Sequence, residues 1–166
     1  MHTFGGTRMA SWTRIGLSAL FIGTTASIVA TAALAIIAKV EGKGALQPTN
    51  ATSHWLHGDS AAAFAQLDTR HTALGYATHH ASALFWAWPF AAWLAFRPRR
   101  SSVEMLRDAS VMSAIAATVD YGITPKRLTP GWELVLPTRS ICAAFAALAI
   151  GLALGARMTQ DLLGPP

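Results

Sequence analysis

Two adjacent histidines, His79 and His80, sit in a stretch that carries no charged side chain from Thr72 to Phe96. Imidazole titrates nearest neutrality of all the side chains, so it serves in proton transfer, in metal ligation and in hydrogen bonding to a ligand. A carboxylate completes such chemistry by orienting an imidazole for general acid–base work. Asp120, followed by Tyr121, lies near the end of a second apolar run, Ala109 to Ile123, and is the natural partner for His79 or His80. Neighbouring positions on a helix point about 100° apart. The two imidazoles therefore cannot aim at one centre: His79 shares a face with His71 and Gly75, and His80 with Tyr76 and Leu84. The plain alternative is that each imidazole donates to a backbone carbonyl or to a nearby hydroxyl such as Thr78 or Ser82.

Three other constellations carry chemical possibilities. In "HWLH" the i, i+3 spacing of His54 and His57 places both imidazoles on one helical turn, where a divalent metal fits if Asp59 or His71 completes its ligands. In "DYGITPKRLTPGWELVLP", residues 120–137, Lys126 and Arg127 suit a lipid phosphate or a quinone head group, with Trp132 and Glu133 beside them. The plain reading is that Arg127 pairs with Glu133 while Trp132 anchors the loop at an interface. Haem is the third possibility. Bis-histidine ligation draws on facing helices, and apart from the histidine-bearing run the long apolar runs contain none, so a second ligand has to come from His54, His57, Met112 or another subunit. No HExxH, ExxH, CxxC or Walker pattern is present, and Cys142 stands alone in an alanine-rich run as a small packing residue.

The elements that must position these residues follow from composition. The chain has 166 residues, 52% of them hydrophobic and 13% charged, against about 25% charged in an ordinary soluble domain. The missing charge points to lipid as the surrounding medium. A bilayer core takes about 20 apolar residues in a helix. The expected fold is an all-α integral membrane protein, a single transmembrane domain over residues 1–166, built as a four-transmembrane-helix bundle. The spans fall at about 15–38, 72–96, 102–123 and 138–156, with Ser101 and Glu104 forming a capping box ahead of the third. The first run exceeds the 7–15 residues usual for a signal-peptide core, so it is expected to be retained. Pro89 is expected to kink the second span. A short interfacial helix, capped by Asp59 or Ser60, is expected in the first outer loop.

Arginines set the orientation. Arg97, Arg99 and Arg100 crowd one tight hairpin, and Arg8, Arg14 and Arg157 fall on the same side. That side is expected to be cytoplasmic, with both termini, in a bacterial inner membrane. The basic residues form short flanking clusters and not one continuous face, which argues against nucleic acid as a partner. His54, His57, His71, His79 and His80 then gather toward the outer leaflet with Asp120; His2 lies at the other end.

Small residues recur every fourth position at Gly23, Ser27 and Thr31, and again at Ala147, Gly151 and Gly155. Such stripes let helix backbones approach in a membrane. They serve packing within the chain, or a homodimer or larger membrane complex through Gly151/Gly155 or Gly23/Ser27. The expected function is a non-catalytic accessory, assembly or partner-binding subunit in contact with membrane lipid. Two alternatives stand beside it: an outward-facing enzyme or redox or metal-binding protein using His79 or His80 with Asp120, and a proton- or ion-coupled transporter acting as an oligomer.

Overall fold

The computed structural model describes residues 4–163, with side chains described from Trp12 to Leu162. His2 and the side chain of Arg8 lie outside that range. The chain is all-helical, with no strand among the described residues. Six α-helices follow in order: α1 (Phe4–Val40), α2 (Gln47–Ala51), α3 (His54–His57), α4 (Leu74–Ala95), α5 (Ser102–Gly122) and α6 (Thr138–Leu163). Two of them, over Trp12–Val40 and Thr138–Leu162, are long and apolar enough to cross a membrane.

The long helices start and stop where local chemistry dictates. Ser101 caps α5: its hydroxyl accepts from the Glu104 amide, and the Glu104 carboxylate accepts from the Ser101 amide at 2.9 Å. α4 is entered through a π-type turn, Thr69–Ala73, and Pro89 lies inside α4 without ending it. α1 begins ahead of the run expected from apolarity, because a helix can continue through polar residues beyond the hydrophobic stretch.

α1 is the central element, packed along α6 on one side and α4 on the other, while α5 packs on α6. Glycine permits the close approach. A Cβ on Gly151 would lie 2.7 Å from the Cα of Ala26, and one on Gly155 would lie 2.8 Å from the Cα of Ile22. On the opposite face of α1, a Cβ on Gly23 would sit 2.8 Å from the Cα of Leu84 in α4. Gly23, Gly151 and Gly155 of the small-residue stripes therefore meet this chain's own helices, the first of the two uses expected for them. α5 is tied to α6 by the Ser113 hydroxyl, which donates to the Phe145 carbonyl at 2.7 Å. α4 and α5 barely touch.

The buried face of α1 mixes Ala19, Ala26 and Ala30 with Ile15, Ile22 and Leu34, and that of α4 mixes Ala83 and Ala87 with Phe90. Large apolar groups stand outside as well: Ile36 is 66% exposed, Phe85 67%, Val111 56% and Ile150 49%.

At one end of the helices, residues 41–73 and 123–137 fold into a compact cap. Glu41 joins it to α6, accepting from the Ser140 hydroxyl at 2.6 Å and from Arg139 at 3.0 Å. Those two partners hold its carboxyl below the usual carboxylate range. At the other end lie the 96–101 hairpin, the start of α1 and the end of α6, joined by Arg99 to Asp161 at 2.7 Å.

Gly151→Val is expected to cost about 1–3 kcal/mol by forcing α1 and α6 apart. Ala146→Val, on the exposed face of the same helix, is expected to be close to neutral. Unfolding of both variants in detergent micelles measures the difference.

Candidate functional site

The seam between α4 and α5 opens, at the cap end, into a cavity of about 240 Å³. His79 and Asp120 both line it. α4 supplies Thr78, His79 and Trp86; α5 supplies Asp120; α6 closes the back with Phe145 and Leu148. The cap roofs it with Trp55, Pro130 and Trp132.

The helical face explains why His79 is inside. Gly75, His79, Ala83 and Ala87 recur every fourth residue on the buried side of α4. Gly75 lets that side meet α2: a Cβ there would fall 1.9 Å from the Thr49 carbonyl oxygen. The His79 ring lies beside the Ser27 backbone carbonyl of α1 and is tilted against Trp132, with centroids 5.7 Å apart. Its Nε2 is buried and makes no hydrogen bond of normal geometry in the protein, the Ser27 carbonyl being its nearby acceptor. His80, one residue on, is half-buried and stacks on Tyr76 at 5.9 Å, away from the cavity. Asp120 meets the side chain of Trp86. Among the described residues, His79 and Asp120 share the cavity without forming an ion pair.

The roof is held by named hydrogen bonds. The Trp55 indole donates to the Thr78 hydroxyl at 3.1 Å, and the Trp132 indole donates to the Thr52 hydroxyl at 3.2 Å. His54 is buried and bonds through Nε2 to the Thr129 carbonyl at 3.0 Å, joining the two cap segments. Arg127 donates to the Trp55 carbonyl at 3.0 Å. It is not paired with Glu133, whose carboxylate accepts from the Thr129 hydroxyl instead. Trp132 is 3% exposed, so it packs in the interior and does not float at an interface.

The four residues considered for a metal are divided among other tasks. The outward-facing Nδ1 of His54 lies 3.6 Å from Asp59. His71 bonds through Nδ1 to Asp68, stacks on Phe64 and leans on His57 at 4.7 Å. The His71 contact holds the Asp68 carboxyl below its usual range. Among the described residues no group of three or more His, Cys, Asp or Glu is placed to hold a metal ion. Lys126, Arg127, His57 and Asp59 surround a separate shallow depression on the cap surface, apart from His79 and Asp120.

Sequence reasoning missed Asn50, which organises the cap. It is fully buried; its amide donates to the carbonyls of Phe64 and Gln66 at 2.8 and 2.9 Å, and its carbonyl accepts from Thr72 at 2.6 Å. The signal lay in a polar residue inside an otherwise mild stretch, "LQPTNATSHW", but its partners are 14 to 22 residues away and no local pattern names them. Trp86 was also passed over, being one aromatic among several on α4.

Comparison with protein-family models, with curated proteins and with solved structures gives no match. The chemistry of the site therefore rests on its own geometry: an aromatic-walled cavity, one buried imidazole nitrogen in need of a partner, and one carboxylate.

Asn50→Ala is expected to leave two carbonyls without donors and to cost about 3 kcal/mol. Hydrogen exchange should show the amides of residues 64–73 exchanging at least about tenfold faster, with the middle of α6 unchanged.

Proposed function

We propose that this chain is a four-span membrane protein whose cap-end cavity binds a small amphipathic molecule, in keeping with an accessory or partner-binding subunit and not with a catalyst. α1, α4, α5 and α6 are its spans. The arginine end faces the cytoplasm of a bacterial cell and carries both termini, as the dense 97–100 cluster favours. Support for four spans comes from the outward faces. Large apolar groups are exposed on every one of these helices, including Phe85 and Trp88 on α4 and Val111 and Ile115 on α5. A soluble protein rarely leaves so much apolar surface in water. α4 carries no charged side chain; histidine, tryptophan and Pro89 are what lower its hydropathy. The charged residues of α5 other than Asp120 fall in its first two turns, at head-group depth.

The observation that carries the binding reading is the unpartnered, buried Nε2 of His79 in the wall of a cavity. A polar atom buried without a partner costs about 1–3 kcal/mol. A ligand that supplies the missing hydrogen bond recovers that cost. Trp55, Trp86 and Trp132 favour a flat ring, and the open α4–α5 seam gives an apolar tail a way out into lipid. The fitting class is an uncharged ring bearing carbonyl or hydroxyl groups on a hydrocarbon tail. His79 and Asp120 in one cavity also favour a second reading, proton transfer to or from the bound molecule. Against coupled transport stands the apolar core beyond the cavity, where Phe90 and Leu152 are fully buried.

A benzoquinone with a decyl tail tests the binding reading. In lipid nanodiscs it should quench tryptophan fluorescence saturably, and His79→Leu should weaken binding about tenfold. Equal affinity in the two proteins, or no saturation in the wild type, contradicts the proposal. Chemical change of the bound quinone that Asp120→Asn abolishes would favour the second reading.

A further inference from the structure

At the end of the molecule opposite the cap, four guanidinium groups line one small pocket. Arg14 comes from α1, and Arg97, Arg99 and Arg100 come from the hairpin between α4 and α5. The pocket is about 80 Å³, and its floor is apolar, with Ile15 and Ile22 of α1 and Leu94 of α4. Charge around it is unbalanced. Leaving Arg14 aside, five arginines among the described side chains at this end (Arg97, Arg99, Arg100, Arg107 and Arg157) stand against three carboxylates (Glu104, Asp108 and Asp161), an excess of two positive charges.

The ion pairs show where the excess lies. Asp161 is shared between Arg99 at 2.7 Å and Arg157 at 3.0 Å. Asp108 is shared between Arg100 at 3.2 Å and Arg107 at 3.0 Å, and Arg100 also meets Glu104 at 3.3 Å. Arg97 has no carboxylate within reach among the described residues, and its guanidinium carbon sits 4.1 Å from the centre of the Trp93 ring. Arg100 is 12% exposed, and its buried Nε meets no acceptor in the protein. An arginine cluster that outnumbers its carboxylates, over an apolar floor, calls for an anion that brings hydrocarbon with it.

We infer that this pocket binds the phosphate of an anionic phospholipid of the cytoplasmic leaflet, with Arg97, Arg99 and Arg100 on the phosphate and one acyl chain along Ile15 and Leu94. Arginine suits phosphate because its planar fork donates two parallel hydrogen bonds. The size of the pocket fits a phosphate. The bound lipid extends α1 and α4 with a hydrocarbon wall and fixes the hairpin against the end of α6. This assignment rests on the four-span reading above, and it concerns the end of the molecule remote from His79.

Nanodiscs of phosphatidylcholine containing a minor share of phosphatidylglycerol test it, with native mass spectrometry counting the lipids the protein retains. The wild type is expected to retain phosphatidylglycerol over phosphatidylcholine at least about tenfold. The double variant Arg97→Gln/Arg99→Gln should lose about fivefold of that preference for each arginine removed. Both side chains are exposed, and unchanged unfolding of the variant confirms that the loss is one of binding. Millimolar inorganic phosphate should leave the retained lipid in place. A wild type without preference, or a variant that keeps it, overturns the inference, and so does displacement by inorganic phosphate, which would mark a site for the free ion. A chain that stays in solution without lipid or detergent overturns the four-span reading and this assignment together; a chain that needs lipid yet does not discriminate between head groups overturns this assignment alone.

Discussion

The architecture depends on backbone contact between α1 and its two neighbours. Gly151 and Gly155 bring α6 onto α1, and Gly23 brings α4 onto the other face, each at a separation that no side chain larger than hydrogen tolerates. If lipid surrounds these helices, as proposed, burial of hydrocarbon gives little drive, and dispersion across close surfaces and the few interhelical hydrogen bonds have to suffice. Because α1 takes both flanks, α4 and α5 are held apart, and the gap between them becomes the cavity at the cap end. The site is a consequence of how the backbones approach, not of a dedicated loop.

The two ends of the molecule use polarity differently. At the cap, short turns are held by hydrogen bonds between distant segments: His54 to Thr129, Asn50 to Phe64 and Gln66, Glu41 to Ser140. Nearly every buried polar atom there has a partner, and that satisfaction makes the cap rigid. Among the long helices Ser27, Thr31, His80 and Tyr121 also carry buried polar atoms without partners, but it is His79 that lines the cavity with three tryptophans on its walls. The opposite end is built from exposed or half-exposed arginines that outnumber their carboxylates. One end presents a hydrogen-bonding vacancy in an aromatic setting; the other presents excess positive charge over an apolar floor.

Much of this was legible from residue order. Uncharged runs located the four long helices, the Ser101–Glu104 pair located the start of α5, and the i, i+4 glycines marked the surfaces where helices meet. Helical spacing showed that His79 and His80 cannot share a centre but left open which of them turns inward, which the structure answers with His79 beside Gly75 and Ala83; the matching depth of Asp120 put it in the same region. The cap was not legible. Its turns are too short to show a period, and their conformation is set by partners far along the chain, as Asn50 shows. The histidines of "HWLH" illustrate the cost of reading spacing alone: His54 is consumed by the Thr129 carbonyl, and His57 leans on His71. Trp132 looked like an interfacial anchor by type, yet the left-handed Gly131 before it, with φ of 79°, turns it inward to pack on Phe145 and His79.

The central claim is that lipid surrounds the outer faces of all four long helices, α4 and α5 included. Nitroxide labels at Phe85→Cys, Val111→Cys and Ile150→Cys, each in a Cys142→Ala background and reconstituted in nanodiscs, measure this directly through their collision rates with oxygen and with a water-soluble nickel chelate. The account predicts that oxygen dominates at all three positions. Strong relaxation by the nickel chelate at Phe85 and Val111, with only Ile150 protected, would place α4 and α5 in water and contradict it.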